Sequence, residues 1–373
     1  MVLAGATVVT AEATLEPGWI GIRGERLVAV EPGAPPWPAD LTLTGQVVVP
    51  GFLDAHVHGG GGASYTSGDP DAARRAAALH QGHGTTTTIA SLVTAQIGEL
   101  ERHVSVLADL VEDGVLAGIH LEGPWLSPAH RGAHDPALLR PPERDDVQRL
   151  LTAGRGAIRM VTIAPELDGG IDAVRAIVDA GAIAAVGHTD ATYDQTRAAL
   201  DAGATVATHL FNAMRPVHHR EPGPIIALLE DPRARVELIA DGVHLHPAAL
   251  RHAAGAAGPT RTMLVTDAMA AAGAPDGDYR LGSLDVQVTA GVARLTAGGA
   301  IAGSTLTMDA AFRYAVTTAG MSLPDAVRAT SATPAQALGL AGAGLRAGER
   351  ADLVILDPAL AVTRVMRAGA WVA

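Results

Sequence analysis

Val47-Val48-Val49-Pro50-Gly51-Phe52-Leu53-Asp54-Ala55-His56-Val57-His58-Gly59 is an apolar run that closes on an acid and two histidines. Side chains alternate along an extended segment, so His56 and His58 point to the same side and could grip one cation. Alone, the pair reads more readily as an exposed loop running into the glycines at 59–62. The pattern recurs, however. The apolar run at 118–121 leads to Glu122, that at 182–187 to His188, that at 204–208 to His209 and that at 263–266 to Asp267. Further runs lie at 85–91, 159–164 and 235–240. Ala-rich helical segments separate them, and short buried runs alternating with helices of about ten to fifteen residues signal βαβ units around a parallel sheet. Seven or eight such units can be counted between about 51 and 345, and eight close a barrel.

Outside that middle the texture differs. Strand character at 7–10, 19–23, 27–30 and 41–49 is broken by Gly and Pro, and the same texture returns at 351–356 and 362–372. The expected organisation is a small β domain from residues 1–48 and 346–373 around a catalytic barrel at 49–345.

In a barrel of this kind, chemistry gathers at the C-terminal ends of the strands, where five runs deliver His or a carboxylate. Singly, each histidine reads as easily as a hydrogen-bonded core or rim residue. Together the bland reading needs five coincidences. Glu122, His188 and His209 add N and O ligands of the kind that suit zinc or iron. Asp267 suits a second duty, taking a proton from a metal-activated water and passing it to a leaving amine, although an aspartate there also reads as a helix N-cap.

Composition narrows the chemistry. The 373 residues contain no Cys, and all 27 basic residues are Arg. Disulfides, thiolate ligands and nucleophiles, Schiff bases and a bridging carboxylated lysine are therefore excluded. With 48% hydrophobic but only 3% aromatic residues, the core is expected to be built from small branched side chains. A net charge of −12 without basic runs argues against nucleic acid. The sequence has no apolar stretch of about 18 residues and no basic N-terminal region, so no membrane contact and a cytoplasmic location are expected.

The opening block 49–59 resembles the first strand of the amidohydrolase superfamily. His120-Leu121-Glu122-Gly123-Pro124-Trp125, Gly187-His188-Thr189, Thr208-His209-Leu210-Phe211-Asn212-Ala213-Met214, Arg220-Glu221-Pro222-Gly223, Asp241-Gly242-Val243-His244 and Thr266-Asp267-Ala268-Met269 look like the N-acetylglucosamine-6-phosphate deacetylases within it. The blocks keep the family's order from about 47 to 310. The resemblance implies an α/β fold, a distorted TIM-like (β/α)8 metal-dependent hydrolase barrel with a small β-sandwich domain formed from both termini, and a homodimer. It makes Glu122, His188 and His209 the shared metal ligands, Asp267 the acid–base group, and His56 and His58 the pair for a second metal. One or two divalent cations per subunit follow, zinc first, with iron, manganese or cobalt as alternatives.

For an amino sugar phosphate the resemblance places Asn212, Ala213 and Arg220 at the phosphate and His134 at a sugar hydroxyl. His244 falls at the acetamido carbonyl or the phosphate end. Ala133, Asp241, Ile301, Ala302 and Gly303 match further substrate positions. An arginine can bind two phosphate oxygens at once, and successive backbone N–H groups can share the same dianion. Hydrolysis of the acetamide is the expected reaction. The galactosamine epimer, an N-acyl amino acid, or a barrel without catalysis remain open alternatives. His218 and His219, and likewise His80, His83, His103, His130, His246 and His252, read as solvated residues.

Overall fold

The computed structural model describes residues 1–372. The apolar runs of the middle region are parallel strands: β1 (Phe52–Val57), β2 (Thr85–Val93), β3 (Gly118–Glu122), β4 (Ile158–Ile163), β5 (Ile183–Val186), β6 (Val206–Ala207), β7 (Arg235–Ile239) and β8 (Thr262–Val265). They pair in sequence order, each with the next. Helices α1 (Pro70–Gly82), α2 (Ile97–Glu112), α3 (Arg144–Ala153), α4 (Gly170–Asp179), α5 (Tyr193–Asp201), α6 (Gly223–Glu230), α7 (Pro247–Ala257) and α8 (Met308–Thr317) follow the strands in turn.

Strands covered on both faces need apolar residues on both, which explains the unbroken runs. Outward residues such as Ile119, Leu121, Val236 and Leu238 join the layer under the helices. In α2, Ile97, Leu100, Val104, Leu107 and Ala108 recur at helical spacing and supply that layer's other half. Leu53, Ala55, Ile89, Ile239 and Val265, with Met160, Ala185, Val206 and Met263, form apolar clusters between the strands. The ring closes just beyond β8. The Asp267 N–H donates to the His56 carbonyl at 2.8 Å and the His58 N–H to the Ala268 carbonyl at 2.7 Å. Below them the Thr266 hydroxyl donates to Asp54 Oδ2 at 2.5 Å, and burial pushes the Asp54 carboxyl up to about 7.

Both chain ends meet in one eight-stranded mixed sheet, in which Val47–Pro50 runs parallel to Val2–Val9 and antiparallel to Leu353–Leu356. Leu3, Val8, Ile20, Leu27, Val48, Leu353, Ile355 and Met366 share its core. Residues 47–50 thus belong to this sheet, and the chain crosses to the barrel at Gly51, where a Cβ would lie 2.2 Å from Thr86 Oγ1.

The stretch between β8 and α8 departs from the sequence reading. Residues 277–295, taken with the alternating barrel texture, form a three-stranded antiparallel meander, Gly277–Leu281, Leu284–Thr289 and Val292–Leu295. Its signal was local: Leu284, Val286 and Val288 alternate with polar residues, and the second turn places Ala290 and Gly291 at φ of +51° and +74°, as a tight hairpin requires. Among the described residues, no helix is long and apolar enough to cross a membrane.

Candidate metal centre at the barrel mouth

Glu122, the last residue of β3, lies at the middle of the cluster. Its Oε1 is 3.2 Å from His188 Nε2 and 3.0 Å from His209 Nε2, and these two nitrogens are 3.0 Å apart. Tetrahedral ligands at bonds of about 2.0–2.1 Å would stand about 3.3 Å from one another. Three buried, thiol-free donors at nearly that spacing fit a divalent cation by both chemistry and distance. The His188 ring is already set for it: Nδ1 donates to the His130 carbonyl at 2.9 Å, which leaves the Nε2 lone pair facing Glu122. Burial pushes His188 down to about 4, so it stays neutral as a ligand must.

His56 and His58 approach from β1 and the residue just after it. Their Nε2 atoms are 3.1 Å apart, at 3.4 Å from Glu122 Oε1 and 3.2 Å from Glu122 Oε2 respectively. Asp267 Oδ1 completes this side, 3.1 Å from His58 Nε2 and 3.6 Å from His56 Nε2. Burial alone would lower both imidazoles, but the Glu122 and Asp267 carboxylates outweigh it; His56 rises well above its usual value and His58 to about 9. The same balance holds the acids ionised. Burial would raise Glu122 and Asp267, and the facing histidines pull both well below the usual carboxylate range.

Three of these residues carry backbone strain. His188, His209 and Asp267 sit at φ of +47°, +28° and +49°. A left-handed conformation costs a non-glycine residue roughly 1 kcal/mol or more, and such residues concentrate where function over-determines the backbone. Asp267 is gripped from both sides: its N–H bonds to His56, and its carbonyl accepts the Ser304 N–H at 2.7 Å. Gly303, at φ +60°, admits that contact, since a Cβ there would stand 2.8 Å from the Asp267 carbonyl oxygen.

A cavity of about 350 Å³ opens over the cluster. Its wall includes His58, Glu122, His188, His209 and Asp267, with Ala133, His134, Asn212, Ala213, His244, Ile301 and Gly303 around them. His134 accepts the Thr94 N–H at Nδ1 (3.3 Å), which leaves the ring proton on Nε2, 3.5 Å from Glu122 Oε2. His244 is held by Asp241, whose Oδ2 lies 2.7 Å from Nδ1 and whose Oδ1 accepts the His244 N–H at 2.8 Å. Asp241 therefore touches the cavity only through His244. Ala302 turns into the meander's core, between wall residues 301 and 303.

Arg220 is not brought to this cavity. Its side chain is exposed and donates to His219 Nε2 at 2.8 Å, on the loop that also carries exposed His218. Two histidines read as solvated prove otherwise. His130 lines the cavity and bonds Asp190 at 3.0 Å, while His80 is buried and donates to the Gly59 carbonyl at 2.8 Å. Sequence reasoning also passed over three groups. Leu281, from the meander, lines the cavity. His120, fully buried between Ser91 Oγ (2.9 Å) and Thr162 Oγ1 (2.8 Å), packs its ring 4.5 Å from that of His56. Glu237, fully buried in β7, lies 3.1 Å from His56 Nδ1. His120 and Glu237 sit inside runs read as apolar; an acid between Val236 and Leu238 in a central strand was the available signal, since a buried charge must be partnered.

Comparison with known proteins adds the following. The sequence pattern of the amidohydrolase family matches residues 47–372. The D267A mutant of N-acetyl-D-glucosamine-6-phosphate deacetylase from Mycobacterium smegmatis, solved in complex with N-acetyl-D-glucosamine-6-phosphate, is 56% identical, with a TM-score of 0.99 over 100% of this chain and 99% of that one. N-acetylgalactosamine-6-phosphate deacetylase of Escherichia coli O157:H7 is 37% identical over 98% of this chain and 97% of its own length. N-acetylglucosamine-6-phosphate deacetylase of Bacillus subtilis (strain 168) is 33% identical over 94% and 91%.

Proposed function

The chain belongs to the amidohydrolase family, and we propose that it is a metal-dependent deacetylase converting N-acetyl-D-glucosamine 6-phosphate to D-glucosamine 6-phosphate and acetate. The observation that carries this reading is the meeting of Glu122, His188 and His209 within 3.2 Å of one another, with Asp267 beside them on the cavity wall. Glu122, His188 and His209 would hold one divalent cation, zinc first among the candidates, and His56 with His58 a second once the ion displaces the protons that Glu122 and Asp267 favour on them. Bound there, a divalent cation lowers the pKa of water and polarises a carbonyl.

The remaining steps fall to the chain's own groups. Asp267, kept ionised by the histidines it faces, accepts the proton of the attacking water and later returns it to the departing amine. Burial would lower His244, but its bond to Asp241 outweighs this and raises it. Once protonated, His244 would spend one N–H on Asp241 and keep the other for the oxyanion that develops on the amide. His134 offers a sugar hydroxyl its Nε2–H. The N–H groups of Asn212 and Ala213, with Arg220, are assigned to the phosphate; the Asn212 N–H donates to the His209 carbonyl at 3.0 Å and would have to exchange that bond, and because Arg220 stands outside the cavity its assignment requires its loop to move or a second subunit to supply it. A homodimer and a cytoplasmic setting belong to the same proposal.

A second reading, the galactosamine epimer, is favoured by the likeness to the E. coli protein across nearly its whole length. Acetate release should be measured from both phosphorylated epimers and from unphosphorylated N-acetylglucosamine, after chelation and after readdition of single metals. Faster release from the galacto epimer would move the substrate to the second reading. Equal rates without the phosphate would remove the phosphate clamp, and full activity after chelation would remove the metal.

A further inference from the structure

We propose that Glu237 is the positioning residue of the His56 ligand and thereby sets how tightly a cation is held on the His56–His58 side of the centre; this rests on the metal-centre reading above. In β7 the flanking Val236 and Leu238 pack outward under the helices, so Glu237 faces the barrel interior, where it is fully buried. A buried carboxylate needs a cationic or strongly donating partner. Among the described residues, the one ion-pair partner of Glu237 is His56.

The geometry gives the contact a direction. Glu237 Oε2 lies 3.1 Å from His56 Nδ1 and 3.1 Å from the His209 backbone nitrogen, and a backbone N–H can only donate. A carboxylate facing Nδ1 selects the form of His56 that carries a proton there. Nε2 is then the nitrogen left to ligate, and it already faces Glu122 Oε1 and His58 Nε2. A carboxylate behind an imidazole also makes that imidazole a stronger ligand, and losing such a partner commonly weakens metal affinity by about ten- to a hundredfold. The His120 ring stands against His56 at 4.5 Å, and its own nitrogens are taken up by Ser91 Oγ and Thr162 Oγ1. Glu237 also ties the two sides together. Its main-chain carbonyl accepts the Leu210 N–H at 2.8 Å, so one residue braces His56 by its side chain and the His209 turn by both.

Glu237→Gln tests this, because it keeps the size and an acceptor oxygen while removing the charge. Zinc stoichiometry and affinity should be measured by calorimetry and metal analysis on the chelated full chain, for the wild type, Glu237→Gln, His56→Ala and the double variant. We expect Glu237→Gln to weaken zinc at one position by about ten- to a hundredfold and to spare the Glu122–His188–His209 position. In the His56→Ala background the same change should alter affinity by no more than about twofold, since its route is gone. Wild-type affinity and stoichiometry in Glu237→Gln would overturn the proposal, as would an undiminished loss in the His56→Ala background. A wild-type chain that binds no zinc would instead defeat the metal-centre reading itself. Should Glu237→Gln fail to fold, the nitrogen-15 signals of His56 in the zinc-loaded wild type decide the matter: a proton on Nδ1 supports the assignment, and a bare Nδ1 overturns it.

Discussion

Asp267 combines two properties rarely joined in one side chain: a strained backbone at φ +49° and a carboxylate held ionised although almost fully buried. The strain aims Oδ1 at His58 and His56, and the charge suits it to accept a proton, so removing the charge while keeping the shape should separate chemistry from metal binding. Asp267→Asn is expected to lower acetate release by about 10²- to 10⁴-fold, the usual worth of a positioned acid–base group, with bound zinc unchanged by metal analysis. Retention of most activity would assign the proton transfer elsewhere. Asp267, Glu122, His56, His58, His188 and His209 were all legible in the sequence because each ends an apolar run, where a barrel exposes its strand tips. Glu237 and His120 were not, because each lies inside a run, and only the alternation of faces, with Ile119, Leu121, Val236 and Leu238 turned outward, tells an inward polar group from a core position. Arg220 shows the converse, since a motif placed it at the phosphate while its side chain stands in solvent.

At the scale of elements, the junction of α6 and β7 shows how an Arg-only chain locks neighbouring βα units together. Asp231 ends α6, and its Oδ1 accepts from the Arg233 N–H at 2.9 Å and Nε at 3.0 Å, while Oδ2 accepts from Arg197 of α5 at 2.9 Å. Arg261, just before β8, donates to the Asp231 and Ala234 carbonyls at 2.8 and 2.9 Å. The Arg233 guanidinium outweighs burial, which alone would raise the Asp231 carboxyl, and brings it down to about 2. A depressed folded pKa contributes stability that is complete above the unfolded value of about 3.9 and is lost as pH falls through about 2. Arg197 and Arg233, which pair with the carboxylate, are partly exposed, so water limits the contribution to about 1 kcal/mol. Asp231→Asn should therefore lower the urea midpoint at pH 7 and at pH 5, and its difference from the wild type should fade between pH 4 and pH 2. A pH-independent deficit would mean that packing, not charge, is what the aspartate supplies. None of this was visible along the chain, because Arg197, Asp231 and Arg261 stand far apart in sequence. The meander at 277–295 escaped for a related reason, since its strands are short and half exposed and resemble the loops of a barrel more than its core runs.

For the whole molecule, the barrel was readable and its closure was not. Parallel strands announce themselves by apolar runs, but β1 and β8 join through side chains and the segment beyond β8, with Thr266 bonded to Asp54 and Asp267 to the His56 carbonyl. The candidate ligands span that same seam. His56 and His58 come from β1 and its end, Glu122 from β3, His188 and His209 from just past β5 and β6, and Asp267 from just past β8. A cation held by them would tie non-adjacent strands across the mouth, and in its absence neighbouring acids and imidazoles must balance one another through protons. Stability should then follow metal occupancy. Free zinc at a hundredfold excess over its dissociation constant adds about 2.7 kcal/mol to the folded state, which for a chain of this size raises the apparent melting temperature by several degrees. Melting followed by circular dichroism should fall after chelation and recover on adding zinc, and His209→Ala should abolish most of the recovery. Identical melting of the chelated and zinc-treated wild type would mean that the folded barrel mouth does not hold the ion, and the convergence of Glu122, His188 and His209 would then need another explanation.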